Sequence, residues 1–447
     1  MKTKLRWMLS LVITAVLVLG LPLIASAAEG PAVDTGDTAF VIVCAALVMI
    51  MTPGLALFYG GMVRRKNVLS IILQCFTAMA LVSVQWVLIG YTIGFGPDVN
   101  HLFGSLQWLG LNGIGLDPNP DYSATIPHQV FVMFQLMFAI ITVALISGAF
   151  AERMKFAAFV AFVLMWTTLV YDPLAHWVWG VDGWLRNLGA LDFAGGTVVH
   201  ISSGISGLVA CLVLGKRREN GAEPMLPHHL PMTMLGAALL WFGWFGFNAG
   251  SALGANGLAG TAFLVTNTCA AAAALSWVAA EWLHHGKPTA LGAASGVVAG
   301  LVAITPAAGF VSAGSAIIMG LLVGPLCYYA VSKIKFKLGY DDSLDAFGIH
   351  GVGGIFGALA TGVFANTAIN PAGVDGLLYG NPAQLLTQAI AVGATIAFAA
   401  TVTFIILKVI SIFTALRVSE EEEETGLDLT QHGEDAYNYG EVSAVQI

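Results

Sequence analysis

Eleven apolar stretches follow one another along the chain, each close to the ~20 residues with which a helix crosses a bilayer. They cover approximately residues 38–62, 68–95, 128–150, 156–177, 195–215, 230–249, 258–282, 289–305, 313–332, 346–364 and 384–415. Only 10% of the residues are charged, whereas a soluble domain has roughly 25%. We therefore exclude a water-soluble fold and predict an all-α polytopic membrane protein with eleven transmembrane helices.

Two terminal segments differ from this apolar domain. The basic first residues, the apolar run 7–24 and Ala25-Ser26-Ala27 have the three-part form of a cleavable signal peptide, although the run borders on spanning length and an uncleaved helix is the alternative. The last segment is acidic. The predicted domains are a signal peptide over 1–27, a membrane domain over 28–417 (repeat one 38–215, repeat two 230–364, helix eleven 384–415) and an acidic cytoplasmic tail over 418–447.

The basic residues indicate the orientation. Of the 18 Lys and Arg residues, three lie in the signal segment, and fourteen of the remaining fifteen lie at the end of odd-numbered apolar segments or just after them; Arg186 is the exception. The positive-inside rule then places the N-terminus outside and the C-terminus in the cytoplasm. We expect the inner (plasma) membrane of the cell.

Two histidines inside apolar segments indicate an internal repeat. His200 and His350 both begin the pattern His-x-x-x-Gly-Ile-x-Gly, and each follows an acidic residue, Asp192 eight positions and Asp345 five positions earlier. If segments one to five and six to ten are copies, an odd helix count per copy requires opposite orientations, which makes an inverted 5+5 repeat plus a final long helix. The two histidines then meet near the midplane of a central pathway.

The residues that would line such a pathway favour a weakly basic solute. Phe134 and Phe138 share one helix face, and Trp244, Phe247 and Ser251 share another. Aromatic faces attract cations by ~0.5–2 kcal/mol, which is far less than the hydration a small ion loses in an apolar lumen. A metal ion cannot neutralise itself there, but an ammonium ion can leave its proton behind, and histidine is suited to relay it.

These residues resemble the ammonium transporter/methylammonium permease/Rhesus family over essentially the whole mature chain. The segments that carry the resemblance are Phe58-Tyr59-Gly60-Gly61, Lys66 to Ser70, Gly189 to His200, Trp244 to Ala252 and Asp345 to Val352. The resemblance implies eleven helices per protomer, a homotrimer with one pore in each protomer, and ammonium as the substrate.

The family resemblance also implies roles for individual residues. It assigns an outer ammonium site to Phe138, Trp179 and Ser251, a closing pair to Phe138 and Phe247, cation recruitment or proton relay to Asp192, twin pore histidines to His200 and His350, and lumen lining to Trp244 and Phe134. Asp192 is equally suited to cap the fifth helix. The loop before it is more polar than the family's glycine-rich form, which leaves Trp177 and Trp184 as neighbours that compete with Trp179 for the outer position.

The tail resembles that of bacterial members regulated by a PII-type nitrogen sensor. Gly426, Asp428, His432 and Tyr437 are the residues that carry this resemblance, and they imply a cytosolic partner. A run of five glutamates before them, Glu420 to Glu424, is otherwise typical of a solvated, flexible stretch.

Other functions remain open from the sequence. A passive channel for neutral gases and an ammonium sensor are alternatives within the same fold. A metalloenzyme would use the doublets His228-His229 and His284-His285, but neither has carboxylate partners in a metal-binding pattern. We expect no enzyme activity, no cofactor, no metal and no nucleic-acid partner, with ammonium or ammonia and membrane lipid as the molecules contacted.

Overall fold

The structure, a computed structural model, describes residues 31–218, 220–221 and 225–437, so that the predicted signal peptide lies outside the described residues. Eleven helices correspond one to one to the predicted segments. They are α1 (Thr35–Met62), α2 (Arg65–Phe95), α3 (His128–Phe150), α4 (Phe156–Asn187, interrupted by a turn at 180–183), α5 (Gly196–Leu214), α6 (Leu230–Gly250), α7 (Gly257–His285), α8 (Ala290–Ile304), α9 (Ala313–Leu338), α10 (Phe347–Phe364) and α11 (Pro382–Phe413). The prediction of a polytopic all-α fold is confirmed.

Ten of these helices are long and apolar enough to cross a membrane. The exception is α8, whose 15 residues rise about 22 Å, less than the ~30 Å of a hydrocarbon core. The helix begins at Thr289, whose side chain accepts a hydrogen bond from the backbone N–H of Gly292. All but a few of its residues are buried, so this short helix lies inside the bundle.

The two halves of the chain share local irregularities at equivalent places. Turns of π-helix occur at Thr167–Tyr171 in α4 and Ala330–Ile334 in α9, and again at Gly196–Ile201 in α5 and Phe347–Gly351 in α10. Helices four and nine, and five and ten, are the partners that a 5+5 repeat predicts. A fifth π-turn, Trp86–Gly90 in α2, has no counterpart in α7.

Helices α5 and α10 approach closely because glycine occupies matched positions in both. A Cβ on Gly204 would lie 2.2 Å from the backbone nitrogen of Gly351, and a Cβ on Gly354 would lie 3.0 Å from Cβ of His200. These glycines are the fourth residue after each histidine. The absence of side chains at these positions brings the histidine-bearing segments together.

Buried ion pairs connect the loops at one end of the bundle, which we call the basic end. The Arg217 guanidinium lies 2.8 Å from Glu152 and 2.8 Å from Asp341. Burial raises the pKa of Glu152, but the charges of Arg217 and Arg64 outweigh it and hold that pKa below its ordinary value. The pKa of Asp341 is lowered in the same way, since hydrogen bonds from Arg217 exceed the effect of its burial.

The acidic tail packs against this basic end as two short helices, α12 (Glu420–Thr425) and α13 (Leu427–His432). A capping box at Ser419 starts α12. Glu423 is buried, lies 2.6 Å from Arg417 and accepts a hydrogen bond from the backbone N–H of Arg218. The expectation that the glutamate run is merely solvated and flexible is therefore wrong at Glu423. The guanidinium of Arg417 compensates the charge of this buried carboxylate.

Candidate functional site

The two predicted histidines meet in the centre of the bundle. Nδ1 of His350 lies 3.3 Å from Nδ1 of His200, and the rings are stacked with centroids 5.3 Å apart. Both side chains are buried. Nε2 of His200 has no hydrogen-bond partner within the described part of the chain. The pair therefore shares one proton along its Nδ1–Nδ1 contact and leaves an imidazole nitrogen available.

A narrow apolar cavity surrounds this pair. Its volume of about 10 Å³ is room for about one water-sized molecule. The walls come from six helices and consist of Met51, Leu55, Phe58, Ile141, Leu145, His200, Leu240, Trp244, Phe247, Val298 and His350. Trp244 stacks on His200 at 5.3 Å and donates its indole N–H to Thr305. We call this cavity the lumen.

Two stacked phenylalanines separate the lumen from an outer cavity. Phe138 and Phe247 have ring centroids 4.2 Å apart at 24°, and Phe247 also lines the lumen. On the other side of Phe138, the outer cavity of about 220 Å³ is lined by Phe95, Asp121, Tyr122, Phe131, Gln135, Phe138, Val178, Trp179, Arg186, Phe193, Ser251 and Leu253. The structure thus brings together Phe138, Trp179 and Ser251, the three residues expected to form an outer site.

The tryptophan of the outer cavity is Trp179. Its ring meets Phe138 edge to face at 5.9 Å, and its indole N–H donates to the backbone oxygen of Asp192. Trp177 and Trp184 pack on each other at 5.5 Å, and Trp177 also contacts Phe398. Those two tryptophans lie away from the cavity, so the competition among the three is decided by the structure in favour of Trp179.

One predicted lining residue lies elsewhere. Phe134 packs on Phe138 with ring centroids 5.0 Å apart. On its other side the ring lies against Gly250, so close that a Cβ on that glycine would be 2.7 Å from it. It lines neither the lumen nor the outer cavity. The expectation that Phe134 lines the lumen is therefore wrong, because a residue one helical turn from Phe138 supports that ring from behind.

Comparisons with known proteins show the family to which the chain belongs. The chain matches the family model described as the Ammonium Transporter Family over residues 39–437. The chain belongs to the ammonium transporter family. It is 58% identical to the ammonium transporter of Bacillus subtilis (strain 168) over 402 residues, which cover 90% of this chain and 98% of that protein. It is 52% identical to the ammonium transporter of Aquifex aeolicus (strain VF5) over 408 residues, with 91% and 94% covered.

Solved structures of two similar proteins have the same fold. The crystal structure of Candida albicans Mep2 superposes with a TM-score of 0.82 at 36% identity and covers 87% of this chain and 88% of that one. A structure described as a sensor Amt protein superposes with a TM-score of 0.82 at 30% identity, with 89% and 98% covered. The named relatives are transporters rather than enzymes, and this family member is a multi-pass membrane protein.

Asp192 organises the start of α5 in this ammonium transporter family member. Its carboxylate accepts hydrogen bonds from the backbone N–H groups of Gly195, Gly196, Thr197 and Val198, at 2.6 to 3.3 Å, and from the Thr197 hydroxyl. The side chain is buried and does not line the outer cavity. Its capping geometry is thus present, and its backbone oxygen anchors Trp179.

The counterpart of Asp192 in the second repeat is Asp342, not Asp345. Asp342 also precedes its histidine by eight residues, and its carboxylate accepts from the backbone N–H groups of Ala346 and Phe347. Asp345 instead occupies the left-handed position that Gly195 has in the first repeat, with φ of 61° against 109°. The acidic residue five positions before His350 is therefore not the helix cap, and the equal spacing of eight is the sequence signal that identifies Asp342 as the counterpart of Asp192.

A further residue of the outer cavity lies outside the sequence prediction. Gln135 lines the cavity one turn before Phe138, and its side-chain oxygen is buried without a hydrogen-bond partner among the described residues. Its position three residues from Phe138 was the only sequence signal that could have indicated it.

The histidine doublets serve other contacts. His228 bonds to the backbone oxygen of Val63 and to the Tyr437 hydroxyl, and His229 caps the start of α6. His284 bonds to the Tyr328 hydroxyl. Within residues 31–218, 220–221 and 225–437, no group of three or more His, Cys, Asp or Glu side chains has the geometry to hold a metal ion.

The four tail residues singled out from the sequence contact the membrane domain. Asp428 accepts from the backbone N–H groups of Leu69 and Ser70, and Gly426 lies against Lys66 with φ of 111°. The His432 ring meets Phe156 at 5.0 Å, and Tyr437 stacks with His228 edge to face. Burial raises the pKa of Asp428 although these backbone groups oppose the effect.

Proposed function

We propose that this protein transports ammonium by recruiting NH4+ at the outer cavity, removing a proton, and conducting ammonia past His200 and His350. The observation that carries the proposal is the pair of imidazoles with Nδ1 atoms 3.3 Å apart, in a lumen with room for about one water-sized molecule. Ammonia has that size, and it donates and accepts hydrogen bonds. The family membership supports ammonium as the substrate.

Recruitment rests on the residues around the outer cavity. The faces of Phe138 and Trp179 attract a cation by about 0.5–2 kcal/mol, more when water is excluded. The Ser251 hydroxyl donates to the backbone oxygen of Phe247 at 2.9 Å, so its lone pairs are available to an N–H donor. Asp192 contributes to recruitment in two ways. Its carboxylate supplies a negative charge, and its backbone oxygen accepts the hydrogen bond that holds the Trp179 indole at the cavity.

Passage through the lumen requires an uncharged solute. The walls of the lumen are aliphatic and aromatic apart from the two histidines, so a cation there would lose hydration without a compensating anion. Ammonium transfers its proton to a water molecule of the outer cavity before the stacked phenylalanines, and the ammonia that remains then hydrogen-bonds to the imidazoles. The proton moves separately along the histidine pair, whose shared Nδ1 contact allows it to pass from one ring to the other.

The finer organisation belongs to the same proposal. We place the N-terminus outside and the basic end in the cytoplasm of the plasma membrane, with cleavage after residue 27 and three copies forming a homotrimer. The tail over 418–447 is the cytosolic surface for a PII-type regulator. In that arrangement Gly426 and Asp428 hold the tail against α2, and its exposed face is free to receive the regulator.

A sensor role is the second candidate, since one similar solved structure is described as a sensor Amt protein. A passive gas channel is the third. These three functions differ in what crosses the membrane. A transporter with a proton relay moves net charge, and a channel passes ammonia alone. A sensor responds to bound ammonium without a matching flux of ammonium or ammonia.

Solid-supported-membrane electrophysiology with ammonium pulses tests the proposal. Proteoliposomes carry the parent protein or the double variant His200→Leu/His350→Leu, and the double variant His284→Leu/His285→Leu is the matched control outside the lumen. We expect a transient current for parent and control and its loss in the lumen variant. Equal currents from all three would overturn the role of the pair, and electroneutral uptake by the parent would favour the channel.

A further inference from the structure

The outer side of the bundle contains a histidine that bridges two hydrogen-bond acceptors. His176 lies in the helical segment Asp172–Trp179, three residues before the outer-cavity tryptophan. Its Nδ1 is 3.2 Å from the backbone oxygen of Gly94, and its Nε2 is 2.9 Å from Oδ1 of Asp98. The side chain is fully buried, with 0% of it exposed. Nothing in the proposed transport steps uses this histidine.

Two acceptors require two N–H groups. A neutral imidazole carries one N–H and one lone pair, whereas the imidazolium carries an N–H on each nitrogen. A carbonyl oxygen and a carboxylate oxygen both lack a proton to give. Burial raises the pKa of Asp98, but hydrogen bonds from His176 and from the backbone of His101 outweigh it and leave that pKa below its ordinary value, so Asp98 is an anion. The geometry is therefore that of the protonated form of His176.

The groups bonded to His176 belong to a hydrogen-bonded cluster of Gly94, Asp98, His101 and His176, which we call the clamp. A hairpin of β1 (Asp98–Val99) and β2 (Phe103–Gly104) carries Asp98. His101, in its turn, bonds through Nδ1 to the backbone oxygen of Asp182 at 2.7 Å, and its own backbone oxygen accepts from Trp184. The hairpin thus holds both sides of the turn that follows Trp179.

The same clamp leaves little freedom for the backbone around Trp179. A Cβ on Gly183 would lie 2.0 Å from the backbone oxygen of His176, and the N–H of Gly180 donates to that oxygen. Arg186 donates from Nη1 to the backbone oxygen of Trp179 at 2.8 Å. His176 and Trp179 lie one turn apart in the same helical segment, so the bonds of His176 to Gly94 and Asp98 fix the end of the helix that carries the indole.

We propose that protonated His176, paired with Asp98, is a positioning residue that holds Trp179 in the outer cavity, and that its deprotonation at alkaline outside pH weakens ammonium capture. This inference rests on the proposed function of Trp179. The titratable groups in contact with His176 or with its partner are Asp98, bonded to His176, and His101, 3.4 Å from Asp98, both on the hairpin. Asp172 lies one turn before His176 on its own helix, and Asp182 and Arg186 follow Trp179, where the backbone oxygen of Asp182 bonds to His101 and Arg186 bonds to the backbone oxygen of Trp179.

The direction of the pH effect on ammonium affinity follows from the number of N–H groups on the His176 ring. With a proton on each ring nitrogen, His176 donates to both Gly94 and Asp98. When one proton is removed, the nitrogen that lost it presents a lone pair to an acceptor, and that hydrogen bond is replaced by repulsion. The apparent affinity for ammonium ion, at a fixed concentration of that ion, therefore falls as the outside pH rises.

The test uses the full chain in proteoliposomes and ammonium pulses between pH 5.5 and 8.5 outside, at constant ammonium ion concentration. For the parent we expect the half-saturating concentration to rise about tenfold across this range, the equivalent of roughly one hydrogen bond. His176→Gln and Asp98→Asn should be weak at every pH with a flat profile and a maximal current within about twofold of the parent. His285→Gln, at the other end of the bundle, is the control and should retain the parental profile.

A pH profile of His176→Gln that parallels the parent's would overturn the proposal. A His176→Gln variant that loses maximal current but keeps the parent's half-saturating concentration would overturn it as well. Solid-state NMR of the parent with ¹⁵N-histidine is independent of whether variants fold: at pH 6 the His176 resonances should show both nitrogens protonated, and a singly protonated ring would contradict the clamp. If Trp179→Ala leaves ammonium affinity unchanged while His176 is doubly protonated and His176→Gln still flattens the profile, the failure belongs to the role of Trp179.

Discussion

Replacing Asp192 by Asn removes one anionic oxygen from the most heavily hydrogen-bonded carboxylate of the site. Oδ1 accepts from Gly195 and Gly196, and Oδ2 accepts from Val198 and from both donors of Thr197. Asn retains one oxygen and places an NH2 group opposite the remaining donors, so at least two hydrogen bonds to a charged group are lost. At about 1.5–3 kcal/mol each, that amounts to about 3–6 kcal/mol.

This local loss acts on transport because the same segment anchors Trp179 through the backbone oxygen of Asp192. A change of about 3 kcal/mol corresponds to roughly a hundredfold in an equilibrium, so Asp192→Asn should lower ammonium-induced current by about a hundredfold or more. Asp342→Asn is the matched control, because Asp342 caps the symmetry-related helix with two backbone donors and lies outside the outer cavity. Asp192→Asn protein with parental current and affinity would refute the reasoning.

Three further changes have expected outcomes. Gly204→Leu introduces side-chain atoms where a Cβ already meets Gly351 at 2.2 Å; overpacking of this kind costs about 1–3 kcal/mol or more, and the yield of folded protein on size-exclusion chromatography should drop. Asp341→Asn leaves the Arg217 charge buried and should destabilise the protein by about 3–5 kcal/mol in thermal unfolding at pH 7. Because the folded-state pKa of Asp341 is depressed, this contribution is present above its ordinary carboxyl range and fades in the parent as pH falls below about 4, where parent and variant should converge. Glu423→Gln removes the partner of Arg417, so limited proteolysis should release the tail faster than in the parent, and unchanged cleavage would contradict its docking.

Local pattern was sufficient for much of this molecule. Hydropathy located eleven helices, and the matched histidine motifs predicted both the repeat and the meeting of His200 with His350. The glycines four residues after each histidine allow the close contact of α5 with α10, because they carry no side chain that would separate the two backbones.

Contacts between segments that are distant in the sequence could not be predicted from hydropathy or residue spacing. The helix-capping role of Asp342 depends on where its helix begins, and the burial of Glu423 depends on the position of Arg417 and Arg218. Phe134 shares a face with Phe138, but spacing alone does not distinguish the ring that faces a cavity from the ring behind it. The clamp around His176 joins three loops whose sequences contain no common motif.

The central claim is that the substrate crosses the lumen without its charge, and potassium tests it most directly because this ion has nearly the size of ammonium and no proton to lose. Potassium pulses on proteoliposomes, alternating with ammonium pulses on the same sensor, measure both permeations. The account predicts an ammonium current with no potassium current at any concentration. A potassium current comparable to that of ammonium would show that intact cations pass His200 and His350, and would contradict it.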